Sequence, residues 1–415
     1  MAIKDQILAR VDPDEVIQLA KDLVKIPSFT TEETECARFL HDLFRKEGFE
    51  SELQEVDPGR FQTVARLRGT GGGKSLMLNG HIDIDPMGAG WRRDPFTATI
   101  EGDRIYGAGI FNMKGGVASM VIAALAAKRS GVRLRGDVVV ACVAGELQGG
   151  VGTVHLLERG IRTDYAIVPE PYDTKNIITK HTGVMQILVH VIGRSAHISR
   201  KEQGINAIVK MAKVVEALEN AKLRHTHDPD LPGLPRHQVG TIIGGRGYTP
   251  GGHSYRGVET RGANIVPDVC TIWIDVRFNQ SMTPESILED ITAVLEQTKR
   301  NDPDFQYEIE FPPVPERKAN RIVMPPMSVP VTAHIVQTLK KNVTAIIGEE
   351  PNVGAVAPFS YAGNDTAHLY NAGIECCLYG PVAGYTTEFP DRWTSVKQMQ
   401  DCAKALAATI ADICA

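Results

Sequence analysis

The chain has 415 residues, 43% of them hydrophobic, which is enough apolar material for two or three packed domains. A net charge of −5 and an isoelectric point near 6.2 argue against nucleic acid as the main partner. Residues 1–6 carry no apolar signal region, the longest apolar helical run (Val117 to Ala127) is too short to span a bilayer, and the seven cysteines lack C-x-x-C spacing. The expectation is a cytoplasmic protein with reduced thiols and no membrane partner.

Apolar residues at Val16, Ile17, Leu19, Ala20, Leu23 and Val24 predict a helix over 14–25. Thr30 and Glu33 have the spacing of a capping box, which opens a second helix that Gly48 stops. Gly71-Gly72-Gly73 reads as a hairpin turn joining 63–68 to a buried strand over 74–78. That strand runs into His81 and Asp83. Spaced by two, they point the same way, so the carboxylate can orient the imidazole as it would that of a metal ligand.

Three later segments, 107–116, 144–150 and 168–171, are glycine- or proline-flanked and follow or open apolar stretches. They bring Asn112, Glu146 and Glu170 to the sheet edge that carries His81, where open α/β sheets collect ligands. A small-residue helix over 116–128 and a strand over 137–143 lie among them. The alternation predicts an α/β fold with a mixed, largely parallel sheet covered by helices on both faces. From Gly183 the pattern changes to strand 184–192, helix 204–219, strand 270–278 and helix 284–299, an α+β insertion. A proline-rich return over 299–327 precedes a helix over 331–347, a strand over 375–379 and a helix over 395–413.

The motifs, in this order, resemble the co-catalytic zinc metallopeptidases and amidohydrolases that include acetylornithine deacetylase, succinyl-diaminopimelate desuccinylase, aminoacylase and glutamate carboxypeptidase. The resemblance implies a phosphorylase/hydrolase-like catalytic domain in two parts, 1–182 and 321–415. It implies an inserted lid over 183–320 that forms a homodimer or a larger homo-oligomer. It further implies that His81, Asn112 and Glu170 hold metal, that Asp83 orients His81 and that Glu146 is the general base. His197, in Gly193-Arg194-Ser195-Ala196-His197, matches the histidine that reaches across the dimer to polarise the scissile carbonyl. Asn264, in Ala263-Asn264-Ile265-Val266-Pro267-Asp268, matches one that faces substrate. An insert unusual for the family, between Gly245 and Asn264, adds Tyr248, Arg256 and Arg261. It reads equally as a clamp for a carboxylate and an aromatic ring or as a surface loop.

Three places depart from the family pattern. Asn112 stands for the aspartate that bridges two metals, Leu147 for the glutamate after the general base, and Gly384 for a histidine four residues before Glu388. Tyr385 is beside the last of these and offers a hydroxyl. A neutral amide oxygen binds a cation less strongly than a carboxylate. The expectation is therefore one labile divalent transition metal, manganese or zinc, with the second site lost.

The predicted function is a metal-dependent hydrolase that cleaves a carbon–nitrogen bond of a small carboxylate-bearing substrate. Its narrowest candidate is deamination of 5-nitroanthranilate to 5-nitrosalicylate and ammonia. The alternatives are a conventional N-acyl-amino-acid amidohydrolase or dipeptidase that tolerates Asn112, and a non-catalytic binding protein.

Overall fold

The structure is a computed structural model that describes residues 2–247, 258–259, 263–317, 319–382 and 391–415. It divides into two compact units, Met1–His181 with Met327–Ala415, and Thr182–Pro326. Residues 321–326, assigned by sequence to the returning first unit, stay with the second. There the backbones of Val184 and Met324 exchange hydrogen bonds of 2.9 and 3.0 Å.

The first unit is built on an eight-stranded sheet in the order Glu50–Asp57, Arg60–Leu67, Val138–Val143, Leu76–His81, Tyr165–Val168, Glu375–Leu378, Asn176–Ile178 and Asn352–Gly354. The central strands, Val138–Val143, Leu76–His81, Tyr165–Val168 and Glu375–Leu378, run parallel. The first two are buried at every position, as a sheet covered on both faces requires. The expected mixed, largely parallel sheet is present. The expected hairpin around Gly71–Gly73 is not, because Val138–Val143 lies between the two strands it was to join. Arg60–Leu67 instead forms its hairpin with Glu50–Asp57.

The helix Gly115–Arg129 is buried from Gly115 to Ala127, and its small residues let Val396–Cys414 pack closely beside it. The stretch Ile110–Arg129 has the length and hydropathy to cross a membrane, but 89% of its apolar window is buried in the protein, so it is a core element.

The second unit has a five-stranded antiparallel sheet in the order Val258–Glu259, Arg236–Gly247, Val269–Phe278, Gly183–Ile192 and Gln306–Glu310. Met185, Ile187, Val189, Ile272 and Ile274 pack against Met211, Val214 and Leu218 of helix Ala207–Glu219 and Ile287, Ile291 and Leu295 of helix Pro284–Asn301. Three of the strands, Arg236–Gly247, Gln306–Glu310 and the two-residue Val258–Glu259, are absent from the sequence expectation. The second falls inside the stretch read as a linker.

The predicted capping box does not form either. Helix Thr34–Lys46 has no side-chain cap, because Glu33 is fully buried against Arg60. Arg60 donates to it through Nε (2.8 Å) and Nη2 (2.5 Å), and through Nη1 to the Gln148 side-chain oxygen (2.7 Å). This bidentate pair fastens the helix to the turn that carries Glu146. Arg60→Met leaves the Glu33 carboxylate buried without its partner, and should cost about 3 kcal/mol. Urea unfolding of the variant beside wild type checks this.

Candidate functional site

The Leu76–His81 strand ends on a fully buried imidazole. Nδ1 of His81 lies 2.9 Å from the backbone oxygen of Asp83 and 3.4 Å from its carboxylate. The short bond orienting the ring is therefore to the carbonyl rather than to the carboxylate expected from sequence. The Asp83 carboxylate works on the neighbouring strand end, accepting from the backbone N–H groups of Glu146 and Leu147, each at 3.1 Å. Although burial opposes it, the His81 imidazole and these bonds hold Asp83 below the usual carboxylate range. Gly145 makes the turn possible. Its φ is +71°, and a Cβ there would lie 2.6 Å from the Arg60 guanidinium.

Asn112 comes from a turn rather than from a strand of the main sheet. Strand Arg104–Tyr106 belongs to a separate three-stranded sheet with Thr99–Glu101 and Trp393–Ser395, and the chain then turns through Ile110–Lys114. Lys114 anchors that turn. Its fully buried ammonium donates to the carbonyls of Leu23 (2.9 Å) and Ile26 (2.7 Å), which satisfies the C-terminal end of helix Pro13–Val24. Burial pushes the Lys114 pKa down.

Around Nε2 of His81 stand Asn112 Oδ1 at 3.1 Å, Glu170 Oε1 at 3.8 Å and Glu146 Oε2 at 4.0 Å. With Nδ1–H given to a carbonyl, neutral Nε2 presents a lone pair to three oxygens, an arrangement that asks for a cation. The electrostatics agree. Burial opposes a charge on His81, yet Asp83, Glu170 and Glu146 together raise its pKa well above normal. Burial likewise raises Glu146 well above the usual range, with His81 opposing and Glu170, Asp365 and Asp83 adding. Glu170 is raised by burial against the pull of His81. Among the described residues no three His, Cys, Asp or Glu side chains gather closely enough to hold an ion alone. Asn112 is thus the third protein donor within reach of His81 and Glu170, and a nitrogen with two oxygens fits a divalent transition metal.

Asp365 and His368 were not anticipated. Asp365 is fully buried, with no short hydrogen bond to either carboxylate oxygen among the described residues and only the Thr153 hydroxyl nearby, and its charge acts on Glu146. Burial, with Asp83 and Glu170 adding and His81 opposing, pushes its pKa up to about 7. His368 Nε2 donates to the Gly149 carbonyl at 2.7 Å. Gly150, at φ +79°, admits both side chains, since a Cβ there would lie 2.6 Å from Asp365 Oδ1 and 2.7 Å from His368 Nε2.

In the second unit His197 and Asn264 stand side by side and exposed. Their side chains are 3.4 Å apart, Ile198 N–H donates to the Asn264 carbonyl at 2.7 Å, and the His197 ring contacts Ser199 Oγ at 2.9 Å. Tyr248, Arg256, Arg261, Gly384 and Tyr385 lie outside the described residues.

A two-part α/β unit that gathers a histidine and two carboxylates at its strand ends, with an amide oxygen from an adjoining turn, is the setting of a metal-dependent hydrolase of carbon–nitrogen bonds. The chain belongs to peptidase family M20/M25/M40, whose pattern it matches over residues 77–412. It is 30% identical over 313 residues to a succinyl-diaminopimelate desuccinylase of Methylobacterium radiotolerans, covering 72% of this chain and 75% of that protein. It is 27% identical over 413 residues to an N-formyl-4-amino-5-aminomethyl-2-methylpyrimidine deformylase of Halalkalibacterium halodurans, covering 92% and 90%. In fold it matches an M20 metallo-carboxypeptidase of Sulfolobus solfataricus, with a TM-score of 0.74 at 18% identity over 96% of this chain and 99% of the other.

The pKa of Asp365 sets a pH dependence. Below pH about 4 the group is protonated folded or unfolded, and above about 7 it is ionised in both states. Between the two only the unfolded chain releases the proton, so this residue's contribution to stability falls as pH rises and then levels off. Asp365→Asn, in chelator, should therefore gain melting temperature over wild type progressively from pH 4 to 7, by a margin of a few kcal/mol at most. Melting curves that stay parallel across this range would refute it.

Proposed function

We propose that the protein is a cytoplasmic hydrolase that cleaves a carbon–nitrogen bond of a small, carboxylate-bearing substrate at a site with one divalent metal, manganese or zinc. His81, Glu170 and the Asn112 side-chain oxygen would hold it. The observation that carries this reading is the single imidazole nitrogen faced by three oxygens, with Leu147 offering no carboxylate beside Glu146. When bound, such an ion supplies a Lewis acid and lowers the pKa of water.

The chain's own groups do the rest. Glu146 is buried, which raises its pKa well above the usual carboxylate range, and in this reading it takes a proton from water and returns it to the departing nitrogen. Asp83 fixes the Glu146 backbone and the His81 ring together, so base and ligand keep one geometry. His197 is assigned the stabilisation of developing negative charge, supplied from the lid of a second copy, with Asn264 beside it.

A homodimer is part of the reading. Strand Arg236–Gly247 has its outer edge unpaired among the described residues, except where Arg246 and Gly247 meet Val258–Glu259. Ile242 (53% exposed) and Val209 (55% exposed) stand out on the strand and on helix Ala207–Glu219. A long, apolar open edge is a template for a second strand. Ile242→Asp with Val209→Asp should turn a dimer into a monomer in light scattering, with the fold retained by circular dichroism.

The narrowest form of the proposal is hydrolytic deamination of 5-nitroanthranilate. It draws on the departures from a two-metal amide hydrolase at Asn112, Leu147 and Gly384. Amide hydrolysis, in the manner of the named deformylase and desuccinylase relatives, is the second reading, favoured by the full-length similarity. Elemental analysis after manganese loading and brief desalting should find one ion per chain, where two would overturn the single-metal site. Glu146→Gln should keep that ion and lose about a thousandfold or more in kcat. Ammonia released from 5-nitroanthranilate, against amine released from N-formyl and N-succinyl amines, decides between the two substrate readings.

A further inference from the structure

The turn that presents Glu146 owes its shape to glycines. Gly145, Gly149 and Gly150 all take up left-handed backbone, at φ +71°, +90° and +79°. Glycine loses more freedom on ordering than any other residue, so a turn built on three of them depends on what fixes it from outside.

Its own hydrogen bonds close one side. The N–H groups of Gln148, Gly149, Gly150 and Val151 return to the carbonyls of Gly145 and Glu146, between 2.8 and 3.2 Å. Asp83 takes the N–H groups at the start of the turn, and Arg60 takes the Gln148 side chain. The far end is held by His368, whose Nε2 donates to the Gly149 carbonyl at 2.7 Å. A carbonyl only accepts, so the proton is on Nε2. Burial pushes the His368 pKa down against the pull of that carbonyl, so the donating ring is neutral and adds no charge to the site.

The helix that carries His368 is anchored in turn. Thr366–Asn371 has six residues, too few to hold itself without tertiary contacts. At its start the Thr366 hydroxyl accepts from His181 Nε2 at 2.9 Å and donates to Asn364 Oδ1 at 2.5 Å, and all three residues are buried. At its end the Ile374 N–H returns to the Leu369 carbonyl at 3.0 Å. The imidazole therefore reaches the turn from a fixed origin.

We propose that His368 is a positioning residue for the general base: through the Gly149 carbonyl it holds the far end of the turn and so keeps the Glu146 carboxylate where proton transfer from water requires it. The proposal rests on the reading of Glu146 as that base. Placement matters at such a step, since an error of about 1 Å can cost about a hundredfold in rate. A merely structural histidine would change stability and leave the turnover of folded enzyme as it was.

The test uses the full-length, manganese-loaded protein. His368→Phe keeps a ring and loses the donor, while His368→Gln returns an N–H close to the place of Nε2. Turnover is followed well below each variant's melting temperature, with whichever of 5-nitroanthranilate, an N-formyl amine or an N-succinyl amine the wild type cleaves. His368→Phe should lower kcat about tenfold or more, with KM within about twofold and the metal content unchanged, and His368→Gln should recover most of the loss. In hydrogen exchange read by mass spectrometry, a peptide spanning 144–151 should exchange at least about tenfold faster in His368→Phe than in wild type. If His368→Phe fails to fold, His368→Asn, whose amide is too short to reach, takes its place. The proposal is overturned if kcat stays within about twofold of wild type, if the loss falls on KM instead, if His368→Gln is as slow as the donor-free variant, or if exchange in 144–151 is unchanged. If the wild type cleaves none of the three substrates, or Glu146→Gln turns over as wild type does, the hydrolase reading fails, while the exchange data still judge whether His368 holds the turn.

Discussion

Two strand ends meet at Asp83, and much of the first unit's site follows from how they are joined. Its backbone oxygen takes the His81 Nδ1 proton and its carboxylate takes the N–H groups of Glu146 and Leu147. One residue thus turns the imidazole so that Nε2 faces the site, and pins the turn that presents Glu146. The arrangement depends on the parallel pairing of Leu76–His81 with Val138–Val143, which brings residues 81 and 143 into register. Arg60 supports it from behind through Glu33 and Gln148. A buried carboxylate with this many donors stays ionised, so the orientation does not vary with pH near neutrality.

The sequence made the central elements visible because they bury on both faces or one stripe, and their apolar runs carry the period. Leu76–His81, Val138–Val143 and Gly115–Arg129 are of this kind. It did not make the pairing visible. The run after Gly71–Gly73 suggested a hairpin, but the strand between comes from more than fifty residues later, and no local signal carries that order. Glu33 has the spacing of a cap, yet a long-range partner, Arg60, claims its carboxylate. Strand Arg236–Gly247 escapes sequence reading because four glycines blur its alternation, and Gln306–Glu310 because it is polar and half-exposed.

Of the site residues, His81, Asp83, Asn112, Glu146 and Glu170 could be named from the sequence because each stands beside a glycine- or proline-marked break at or near the sheet's edge. Asp365 could not. It lies just before the short helix Thr366–Asn371, among polar neighbours at Asn364 and Thr366 that read as surface, while the structure buries all three. The only local hint is a polar trio interrupting a chain that is apolar on its far side. Only tertiary packing shows that this carboxylate is buried and lies in the field of His81.

That field bears on why the departures from the family occur together. Buried charge must be balanced, and a site for two divalent ions is balanced by carboxylates that one ion alone would leave in excess. On the proposed single-metal reading, losing one dication requires losing about two buried negative charges. Asn112 and Leu147 are both neutral where the family pattern has acids, so they remove two. What stays around one imidazole, Asp83, Glu170 and Glu146, still raises the His81 pKa well above normal against its burial, and burial beside them pushes Asp365 up to about 7. The substitutions are therefore read as one adjustment of charge rather than as separate losses. On that reading, a decaying site would have no reason to shed charge while leaving Glu146, Asp83, His81 and Glu170 in register.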